Sequence, residues 1–504
     1  MAIYLMPNLP AKPKLPTKIY TVVQIKALER IAIQECGITG LELMKRAGSA
    51  VFLRLRENWP DAMRIAVFCG AGNNAGDGYI VATLALQADL SVTVYSAVSC
   101  EKLNGDALLA YQAYCALQGH VEPFQPEQPI AADVIVDALL GTGLNKPVIG
   151  IMAQAIENIN NSQIPVIAVD VPSGLNADTG AVMGYAVAAD CTVTFIGLKQ
   201  GLFTGQAADY CGDIFHDGLA VPNAVFEQVP SVTYRVTGAQ LPPRSKCSHK
   251  GHYGHVLVIG GDQGYSGAAR LAGEAALRVG AGLVSIATRP EHASLMNVGR
   301  PELMCHGIDT ANQLAKLLDK ASVIVVGPGL GRSAWAKELF IALVNATNVL
   351  DARKPLIVDA DALYLLANAR IKHADWILTP HPGEAARLLH ISTPEIEQDR
   401  FSAVTAIQAR YDGIAVLKGS GTLIASSHDI AVSNTGNPGM ASGGMGDVLS
   451  GIIGGLVAQG LTLKEAAQQG VYLHGLAADK AREHYGERGL LASDLMFFIS
   501  QVVA

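Results

Sequence analysis

The segment Asn437–Gly451, NPGMASGGMGDVLSG, joins a glycine-rich turn to an apolar run. The apolar residues recur at helical spacing, at Val448, Leu449, Ile452, Ile453 and Leu456. The glycines before them therefore lie at a predicted helix N-terminus, and they are Gly443, Gly444 and Gly446. The first backbone N–H groups of a helix lack partners and the helix dipole is positive there, so this turn is suited to bind an anion.

One carboxylate, Asp447, lies within this turn. Beside an anion hole it is placed to take a proton from a hydroxyl while N–H groups stabilise the charge on a transferring phosphoryl group. The alternative is a structural role as a helix N-cap, for which Asp is common. The loop Lys418–Thr422, KGSGT, favours catalysis because it offers flexible backbone and hydroxyl donors to nucleotide phosphates. In TPHPGE, His381 and Glu384 stand at the start of another predicted helix, within reach of a substrate or of waters on Mg²⁺.

Short β-branched runs alternate with helical stretches along the chain. The predicted strands of the first half are MRIAVFC, SVTVY, DVIVD, PVIAV and CTVTFI. Those of the second half lie in HVLVIGG, LVSIAT, SVIVVGPGLG, LIVDADA, WILTP and IAVLKGSGT. Strands that are apolar throughout are typical of parallel sheets covered by helices on both faces. The sequence thus predicts an α/β protein, with a Rossmann-like doubly wound parallel sheet in its first half.

The sequence divides into two predicted domains. Residues 217–246 are rich in proline and polar residues and lose clear periodicity, so we place a boundary there, with domains at 1–225 and 226–504. Two helices are predicted near the start of the chain, and the second covers residues 41–57. The first follows a proline-rich arm, ends at Gly37 and has an apolar face formed by Val23, Leu28, Ile31 and Ala32.

Polar residues gather at predicted strand ends in the first half, where open parallel sheets bind their ligands. GAGNNAGDG follows the first of these strands, and the next two lead into DALLGTGL and VDVPSG. Asn74, Asp137 and Ser173 offer hard oxygen ligands, suited to a small hard cation rather than to zinc or copper. Asp170, at the same edge, is suited to moving protons if partly buried, and a turn-capping role is equally open. Single glycines in these loops are also consistent with simple tight turns.

A relaxed dinucleotide fingerprint, G-x-G-x-x-A, is formed by Gly70, Gly72 and Ala75. The next predicted strand, VTVYSAVS, ends without an acidic residue that would bind a ribose hydroxyl. Ordinary dehydrogenase chemistry is therefore not supported.

Charge and cysteine usage narrow the functional class. The formal net charge is −7, without the basic face of a nucleic-acid binder, so we expect no nucleic-acid partner. The eight cysteines form neither a C-x-x-C pair nor a zinc-like pattern, as in cytoplasmic enzymes with reduced thiols. The arm MAIYLMPNLPAKPKLP is too short and proline-broken for a signal peptide, and no apolar stretch has membrane length. We expect a cytoplasmic homo-oligomer that acts on small molecules and has no membrane partner.

Taken in order, the motifs resemble those of the fused NAD(P)H-hydrate repair enzymes, the YjeF family. In that family an epimerase domain precedes a ribokinase-like dehydratase domain. The matching motifs are GAGNNAGDG, DALLGTGL, VDVPSG, HKGHYGHVLVIGG, GYSGAARLA, VVGPGLGR, TPHPGE, KGSGT and NPGMASGGMGD. The resemblance covers nearly all of the chain after about residue 20. It implies repair of NADH and NADPH that have been damaged by addition of water to the dihydronicotinamide ring.

For the first domain, the resemblance implies interconversion of the R and S hydrates, NADHX and NADPHX, with Asp170 as the acid/base group. It also implies a potassium ion (K⁺) bound by Asn74, Asp137 and Ser173. The residues implied to contact the dinucleotide are Asn73, Asn74, Ala75, Gly76, Asp77, Gly141, Thr142, Gly143, Leu144, Asn145, Lys146, Pro147 and Asp170.

For the second domain, the resemblance implies phosphorylation of the S-hydrate hydroxyl with Asp447 as base. Phosphate then leaves and the ring double bond returns. The implied co-substrate is ADP, which gives AMP and phosphate, with Mg²⁺. The implied nucleotide-binding residues are Lys418, Gly419, Ser420, Gly421, Thr422 and Gly446. Those implied to contact the hydrate are Ala268, Gly331, His381 and Asp447.

Two residues depart from the patterns of related enzymes. Met445 stands where the anion hole usually has Thr or Ala, and His381 stands where sugar and vitamin kinases have Asn. Met445 leaves the backbone donors intact, so we expect activity to persist. His381 suits a dehydratase better than a simple kinase.

Two alternatives remain open from the sequence. A ribokinase-type small-molecule kinase with an N-terminal binding module would use the same anion hole and base, and it would release a stable phosphorylated product. The first domain could instead be non-enzymatic, because related domains serve as interaction modules in mRNA-decapping scaffolds. The presence of Asn74, Asp137 and Asp170 favours a first domain that is still an enzyme.

Overall fold

A computed structural model describes residues 15–239, 241–349, 354–369 and 371–503. The chain divides into two compact units. The first comprises Met1–Leu202 and Gln206–Ser231, and the second comprises Phe203–Gly205 and Val232–Ala504. Most of the proline-rich N-terminal arm, residues 1–14, lies outside the described residues.

The first unit alternates strands and helices. In chain order its elements are β1 (Lys18–Tyr20), α1 (Val22–Glu35), α2 (Gly40–Asn58), β2 (Arg64–Cys69), α3 (Asn73–Gln87), β3 (Ser91–Ser96), α4 (Gly105–Ala116), β4 (His120–Pro123), β5 (Val134–Ala138), α5 (Ile151–Asn161), β6 (Val166–Val169), β7 (Cys191–Phe195), β8 (Leu198–Lys199), α6 (Ala207–Tyr210), β9 (Asp213–Asp217) and α7 (Asn223–Gln228).

The main sheet of the first unit is parallel, with the order β4-β3-β2-β5-β6-β7-β9. One apolar core lies between this sheet and helices α1 to α4, and another lies under α5. The predicted doubly wound parallel sheet is therefore confirmed. From β2 the chain extends the sheet in one direction through β3 and in the other through β5. The loops after β2 and β5 thus diverge at a switch point, where such sheets open a crevice for ligands.

In helix α1 the prediction is wrong for one residue of the apolar face. The spacing predicts Val23 on that face, but its side chain is 76% exposed, whereas Ile25, Leu28 and Ala32 are buried. Five residues separate Val23 from Leu28, and at about 100° per residue the two side chains point about 140° apart around the helix. Ile25 occupies the position on the buried face that had been given to Val23.

The second unit repeats the alternation. Its elements are β10 (Thr233–Arg235), β11 (His255–Ile259), α8 (Ser266–Val279), β12 (Leu283–Thr288), α9 (Pro290–Met296), β13 (Met304–Gly307), α10 (Ala311–Lys320), β14 (Val323–Val326), α11 (Ala334–Val349), β15 (Leu356–Val358), α12 (Ala360–Ala367), β16 (Trp376–Leu378), α13 (Pro382–Leu389), α14 (Thr393–Gln398), α15 (Arg400–Tyr411), β17 (Ile414–Leu417), β18 (Thr422–Ala425), β19 (Ile430–Ser433), α16 (Met445–Ala458), α17 (Leu463–Tyr485) and α18 (Leu495–Val502).

Within this unit the strand order is β13-β12-β11-β14-β15-β16-β17-β18-β19-β10. Pairings from β13 to β17 are parallel, whereas β18 pairs antiparallel with both β17 and β19. The switch point lies between β11 and β14. The loops that follow these two strands, together with those after β15, β16 and β17, therefore surround the expected ligand site.

Helix α16 packs against α8 at distances that only glycine permits. A Cβ at Gly451 would lie 2.1 Å from the carbonyl oxygen of Ala272, and one at Gly455 would lie 2.3 Å from Val279 Cγ1. The predicted apolar residues of α16 are all buried. This close packing fixes the N-terminus of α16 beside the loops after β15 and β17.

Among the residues that the structure describes, helices are either too short or too polar to cross a membrane.

Candidate active sites

A cavity of about 720 Å³ lies at the switch point of the first unit. Helix α3 begins at this cavity with Gly72 as its N-cap, and no side chain caps the helix. The N–H groups of its first turn are therefore suited to an anionic part of a ligand. Most residues predicted to contact the dinucleotide line this cavity, namely Asn73, Asn74, Asp77, Gly141, Thr142, Gly143, Leu144, Asn145, Lys146, Pro147 and Asp170.

Ala75 and Gly76 are not among the side chains that line the cavity. Both are buried within α3, and a Cβ at Gly76 would lie 2.5 Å from the Met44 side chain. Gly76 thus allows α3 to approach α2 closely. Contact between a ligand and these two residues would have to go through the backbone.

Asp170 is held by residues at the end of β7 and on β8. Its backbone φ is 69°, in the left-handed region that Asp tolerates better than most residues. Its Oδ1 accepts hydrogen bonds from the Lys199 ammonium, from Thr194 Oγ1 at 3.1 Å and from the Phe195 N–H at 3.3 Å. The carboxylate of Asp170 therefore binds these groups, and not the VPSG turn, which is the alternative role that the sequence leaves open.

Lys199 is buried, with 1% of its side chain exposed. Besides Asp170, its ammonium donates to Thr194 Oγ1 at 3.0 Å and to the Phe195 carbonyl at 2.9 Å. Both Lys199 and Asp170 line the cavity. A buried ammonium that pairs with a carboxylate in a ligand cavity is a frequent feature of catalytic sites.

Two further carboxyl groups in this cavity have shifted pKa values. Burial raises the pKa of Asp77 well above its usual value, and the charges of Asp170 and Glu29 add to the shift while Lys199 opposes it. Burial also raises the pKa of Glu29, with Lys199 opposing and Asp170 adding. The cavity therefore holds carboxyl groups that accept protons more readily than carboxyls in water.

Polar groups of four residues converge beside this cavity. The buried Asp137 accepts hydrogen bonds from Ser173, with 2.5 Å to the hydroxyl and 2.7 Å to the N–H. The carbonyl oxygen of Leu140 lies 3.1 Å from Ser173 Oγ and 3.1 Å from Asn74 Nδ2. Burial raises the pKa of Asp137 to about 6, although its hydrogen bonds oppose the shift. The three predicted metal ligands thus lie together, joined by a carbonyl group that was not predicted.

The anion-binding turn of the second unit forms the start of α16. Gly444 is its N-cap, with a left-handed φ of 92°, and a Cβ there would lie 2.7 Å from Leu271 Cδ1. Asp447 lies in the first turn and makes no capping bond, so the structural alternative for this carboxylate is not supported. The Met445 side chain is buried in the core, which leaves the backbone donors of the turn in place.

Lys418, directly after β17, is the half-buried cation of this site. Its ammonium lies 2.8 Å from Asp359 Oδ1 and 3.8 Å from Glu384 Oε2. A Cβ at Gly446 would lie 3.2 Å from the same nitrogen, so Lys418 directly faces the turn. Burial alone would lower the pKa of Lys418, but Asp359 and Glu384 outweigh it and raise the pKa. Asp359 is held in turn by Ser450 Oγ of α16 at 2.7 Å.

Asp447 has a pKa suited to a base at neutral pH. Burial raises this pKa to about 7, and the nearby charge of Asp359 adds to the shift, while Lys418 opposes it. Glu384 and Asp361 contribute smaller increases. A carboxyl group with a pKa near the working pH combines a useful ionised fraction with adequate basicity.

The predicted nucleotide loop, Lys418–Thr422, connects β17 to β18. Arg400, which is buried at the start of α15, lies beneath it and donates to the carbonyl groups of Leu417 at 3.3 Å and Lys418 at 3.1 Å. Gly419 has a φ of 136°, and a Cβ there would lie 2.9 Å from the Arg400 guanidinium. Arg400 therefore supports the loop from its buried side.

His381 and Glu384 form a capping box at the start of α13. His381 Nδ1 accepts from the N–H groups of Gly383 at 3.0 Å and Glu384 at 3.4 Å, and the His381 N–H donates to Glu384 Oε2 at 2.9 Å. Burial, together with the charge of Lys418, lowers the pKa of His381. The imidazole is therefore neutral at pH 7, with Nε2 carrying its proton.

Gly331 and Ala268 lie at the switch point of the second unit. Gly331 has a φ of 71°, a Cβ there would lie 2.6 Å from Asp262 Oδ2, and its N–H donates to Asp361 Oδ2 at 3.0 Å. Asp361 and His381 line the same small cavity. Ala268 lies in the first turn of α8, with its Cβ 3.1 Å from the position of a Cβ at Gly329. The structure thus brings Gly331 towards His381, and it places Ala268 beside the same glycine loop.

Comparison with known proteins agrees with this architecture. A sequence model described as NAD(P)H-hydrate dehydratase matches residues 256–501, and one described as YjeF-related protein N-terminus matches residues 40–201. The bifunctional NAD(P)H-hydrate repair enzyme Nnr of Coxiella burnetii is 51% identical to this chain, over 95% of this chain and 98% of that protein. Nnr of Escherichia coli is 44% identical, over 97% of this chain and 94% of that protein. The chain belongs to the bifunctional NAD(P)H-hydrate repair enzyme family.

Two solved structures that this chain is similar to each cover about half of it. The ADP/ATP-dependent NAD(P)H-hydrate dehydratase of Bacillus subtilis, co-crystallised with ATP and Mg²⁺, is 33% identical, with a TM-score of 0.47, and it covers 52% of this chain and 93% of its own. A ribokinase-like superfamily protein from Enterococcus faecalis is 30% identical, with a TM-score of 0.48, and it covers 52% of this chain and 90% of its own.

Several residues of this repair enzyme's sites were not found from the sequence. Lys199 had a visible signal, since it is a single lysine within the apolar run CTVTFIGLKQGLF. Asp359 and Asp361 could also have been found from the sequence, because LIVDADA places both of them at the end of a predicted strand. Arg400 had none, since its role depends on the loop that packs over it.

Proposed function

We propose that this chain repairs hydrated NADH and NADPH in two steps. The first unit interconverts the R and S hydrates, and the second dehydrates the S hydrate with ADP as phosphoryl donor. The observation that carries this proposal is Asp447, with a pKa of about 7, in the first turn of a helix whose N-terminus faces Lys418. The test is to mix the protein with both hydrate epimers, ADP and Mg²⁺, and to follow the return of dihydronicotinamide absorbance. Accumulation of a stable phosphorylated hydrate would instead support a kinase.

In the first unit, we propose Asp170 as the group that moves the proton. The hydrate carries its hydroxyl on a ring carbon bonded to nitrogen, so inversion requires one bond of that carbon to break and re-form. A proton must leave and return in the process. Asp170, held by Lys199 and facing the cavity, accepts and returns it. The loops 73–77 and 141–147 would bind the remainder of the dinucleotide.

We propose that K⁺ binds at Asn74, Asp137 and Ser173, with the Leu140 carbonyl as a further ligand. One carboxylate with amide, hydroxyl and carbonyl oxygens is a donor set suited to a hard cation of low charge. When bound, the ion would supply positive charge at the floor of the cavity. Its protein ligands would fix the loop 141–147, because Leu140 directly precedes it.

A potassium requirement is therefore expected of the epimerase. Epimerisation should be faster in KCl than in NaCl at equal ionic strength, and Asp137→Asn should slow it about tenfold or more and abolish the difference between the salts. Chiral chromatography of the R and S hydrates measures this rate. Dehydration of the S hydrate by the same protein serves as the control. Equal epimerisation in the two salts by the unmodified protein would contradict the site.

In the second unit, we propose that Asp447 takes the proton from the hydrate hydroxyl as its oxygen attacks the β-phosphorus of ADP. The bond from phosphorus to AMP breaks, and the first N–H groups of α16 together with Lys418 stabilise the transferring phosphoryl group. The phosphorylated carbon then loses phosphate while the neighbouring ring carbon loses a proton, which restores the double bond. Lys418–Thr422 and Gly446 would bind the nucleotide, and Ala268, Gly331 and His381 would contact the hydrate.

The site also fits Mg²⁺. The described residues contain no group of three or more His, Cys, Asp or Glu side chains arranged to hold a metal ion. Mg²⁺ commonly binds through substrate phosphates, waters and one or two carboxylates, so a complete protein cage is not required. Glu384 and Asp361 would bind waters of the ion. When bound, it would neutralise phosphate charge.

The raised pKa of Asp447 predicts the pH dependence of dehydration. The base must be ionised, so kcat with saturating S hydrate and ADP should fall about tenfold per pH unit below pH 7 and level off above it. Because the charge of Asp359 adds to this pKa, Asp359→Asn should move the acid limb to lower pH. Absorbance assays across pH 5 to 9 measure both profiles. An unchanged midpoint in the variant would argue against this electrostatic coupling.

We also propose that the chain acts in the cytoplasm as a homo-oligomer and prefers ADP to ATP.

A further inference from the structure

The small cavity of the second unit contains an unexplained pair of guanidinium groups. Its volume is about 260 Å³, and His381, Glu384 and Asp361 line it together with Arg332, Tyr364 and Arg387. His381, Glu384 and Asp361 already belong to the proposed dehydratase site. The other three residues have no role in the reaction as described above.

Tyr364 of α12 brings the two arginines together. The guanidinium carbon of Arg332 lies 3.9 Å from the Tyr364 ring centroid, and that of Arg387 lies 4.4 Å from it. Stacking on an aromatic ring stabilises a cation and fixes the plane of the guanidinium. Tyr364 therefore orients two positive charges that would otherwise repel each other.

The charge of this pair is only partly neutralised by the protein. Arg332 Nε lies 3.2 Å from Asp361 Oδ1, and Asp361 Oδ2 accepts the Gly331 N–H. Within the part of the chain that the structure describes, no carboxylate lies at ion-pair distance from Arg387. Asp361 and Glu384 share the cavity with the two guanidinium groups, only Asp361 lies at ion-pair distance from one of them, and both arginine side chains remain open to solvent. Planar guanidinium groups with unused donors are suited to the paired oxygens of a phosphate.

The position of the pair selects which phosphate it binds. The transferring phosphoryl group is expected at the start of α16, beside Lys418. The arginine pair lines the small cavity together with Glu384, whose Oε2 is 3.8 Å from the Lys418 ammonium, whereas Lys418 itself does not line it. His381, a proposed contact of the hydrate, lines this same cavity, and Gly331, another, donates its N–H to the lining residue Asp361. We therefore expect the hydrate, rather than the nucleotide, to extend into this cavity.

We propose that Arg332 and Arg387, oriented by Tyr364, bind the pyrophosphate of the dinucleotide hydrate in the second unit. This inference rests on the proposed dehydratase function. The two arginines bind the hydrate, whereas Lys418–Thr422 binds the phosphoryl donor. It explains how one site accepts both NADHX and NADPHX, because the pyrophosphate is common to the two.

The test compares Arg387→Gln and Arg332→Gln with the unmodified full-length protein. Each substitution should raise KM for the S hydrates of NADH and NADPH about 10–100-fold, the loss expected for a charged hydrogen-bonding partner. The values of kcat and of KM for ADP should change less than about twofold. Arg410→Gln is a matched control, since Arg410 also stacks on a tyrosine, Tyr411, but does not line this cavity.

A truncated substrate separates pyrophosphate binding from a general structural effect. Hydrated dihydronicotinamide riboside lacks the pyrophosphate, so kcat/KM for it should be equal in the unmodified protein and the variants. Equal losses with this compound, unchanged KM for the dinucleotide hydrates, or a raised KM for ADP would each overturn the proposal. Calorimetric titration with NADPHX without ADP gives a readout independent of turnover. If the unmodified protein bound the hydrate but released no NADPH, the proposed function would fail and the binding site would stand.

Discussion

Asp447→Asn should lower the rate of S-hydrate dehydration by about 10²–10⁴-fold, the usual contribution of a general base. Asparagine keeps the size of the side chain but cannot accept the hydroxyl proton at neutral pH. The N–H groups at the start of α16 and the Lys418 ammonium are untouched, so ADP should bind as before. Single-turnover measurements of dihydronicotinamide absorbance, with ADP and Mg²⁺ in excess, would give the rate directly.

The same protein supplies the first control for this prediction. Epimerisation of the R hydrate should proceed unchanged, because Asp170 and its cavity belong to the other compact unit. A second control is Asp399→Asn, since Asp399 caps α15 by accepting from the Ser402 N–H at 2.9 Å. Asparagine can still cap, so both activities should be kept. A rate within tenfold of normal for Asp447→Asn would mean that another group removes the proton.

Buried strands of the parallel sheets could be predicted from the sequence, whereas edge strands and the mostly buried antiparallel strands β18 and β19 were not predicted. β5 and β6 are entirely buried, and apart from Asp137 their residues are apolar. β4 and β9, at the two edges of the same sheet, are mostly exposed or half-buried and contain polar residues such as His120 and Asp213. Without a continuous apolar run, neither segment was recognised. The same limit applies to the half-buried β13.

Site residues were predictable where they directly follow strands. Asp137 is the penultimate residue of β5, Asp170 follows β6 and Lys418 follows β17, so parallel topology alone brings each to the ligand-binding edge. Partners from distant positions were not predictable in this way. Asp359 meets Lys418 across 59 residues of sequence, and Lys199 meets Asp170 across 29 residues. Such pairings depend on which loops the folded sheet places side by side.

Lys199→Met should remove most of the epimerase activity and leave dehydration intact. The substitution keeps a long side chain but deletes the ammonium that pairs with Asp170. Breaking a buried ion pair by removing one partner typically costs about 3–5 kcal/mol, because the other charge stays buried. Thermal denaturation should therefore show a less stable protein. The epimerisation rate, measured by chiral chromatography below the melting temperature, should fall about 10²-fold or more.

The pH profile of Lys199→Met distinguishes a catalytic effect from simple loss of structure. A carboxylate that loses a neighbouring cation takes up a proton more readily, so the remaining epimerase activity of the variant should increase towards alkaline pH. The double variant Asp170→Asn with Lys199→Met removes both charges, so it should recover much of the lost stability while remaining inactive as an epimerase. Recovery of stability together with activity would show that neither side chain moves the proton. If Lys199→Met alone kept the normal rate and pH profile, the ion pair would serve only to fix Asp170, directly after β6, against β8.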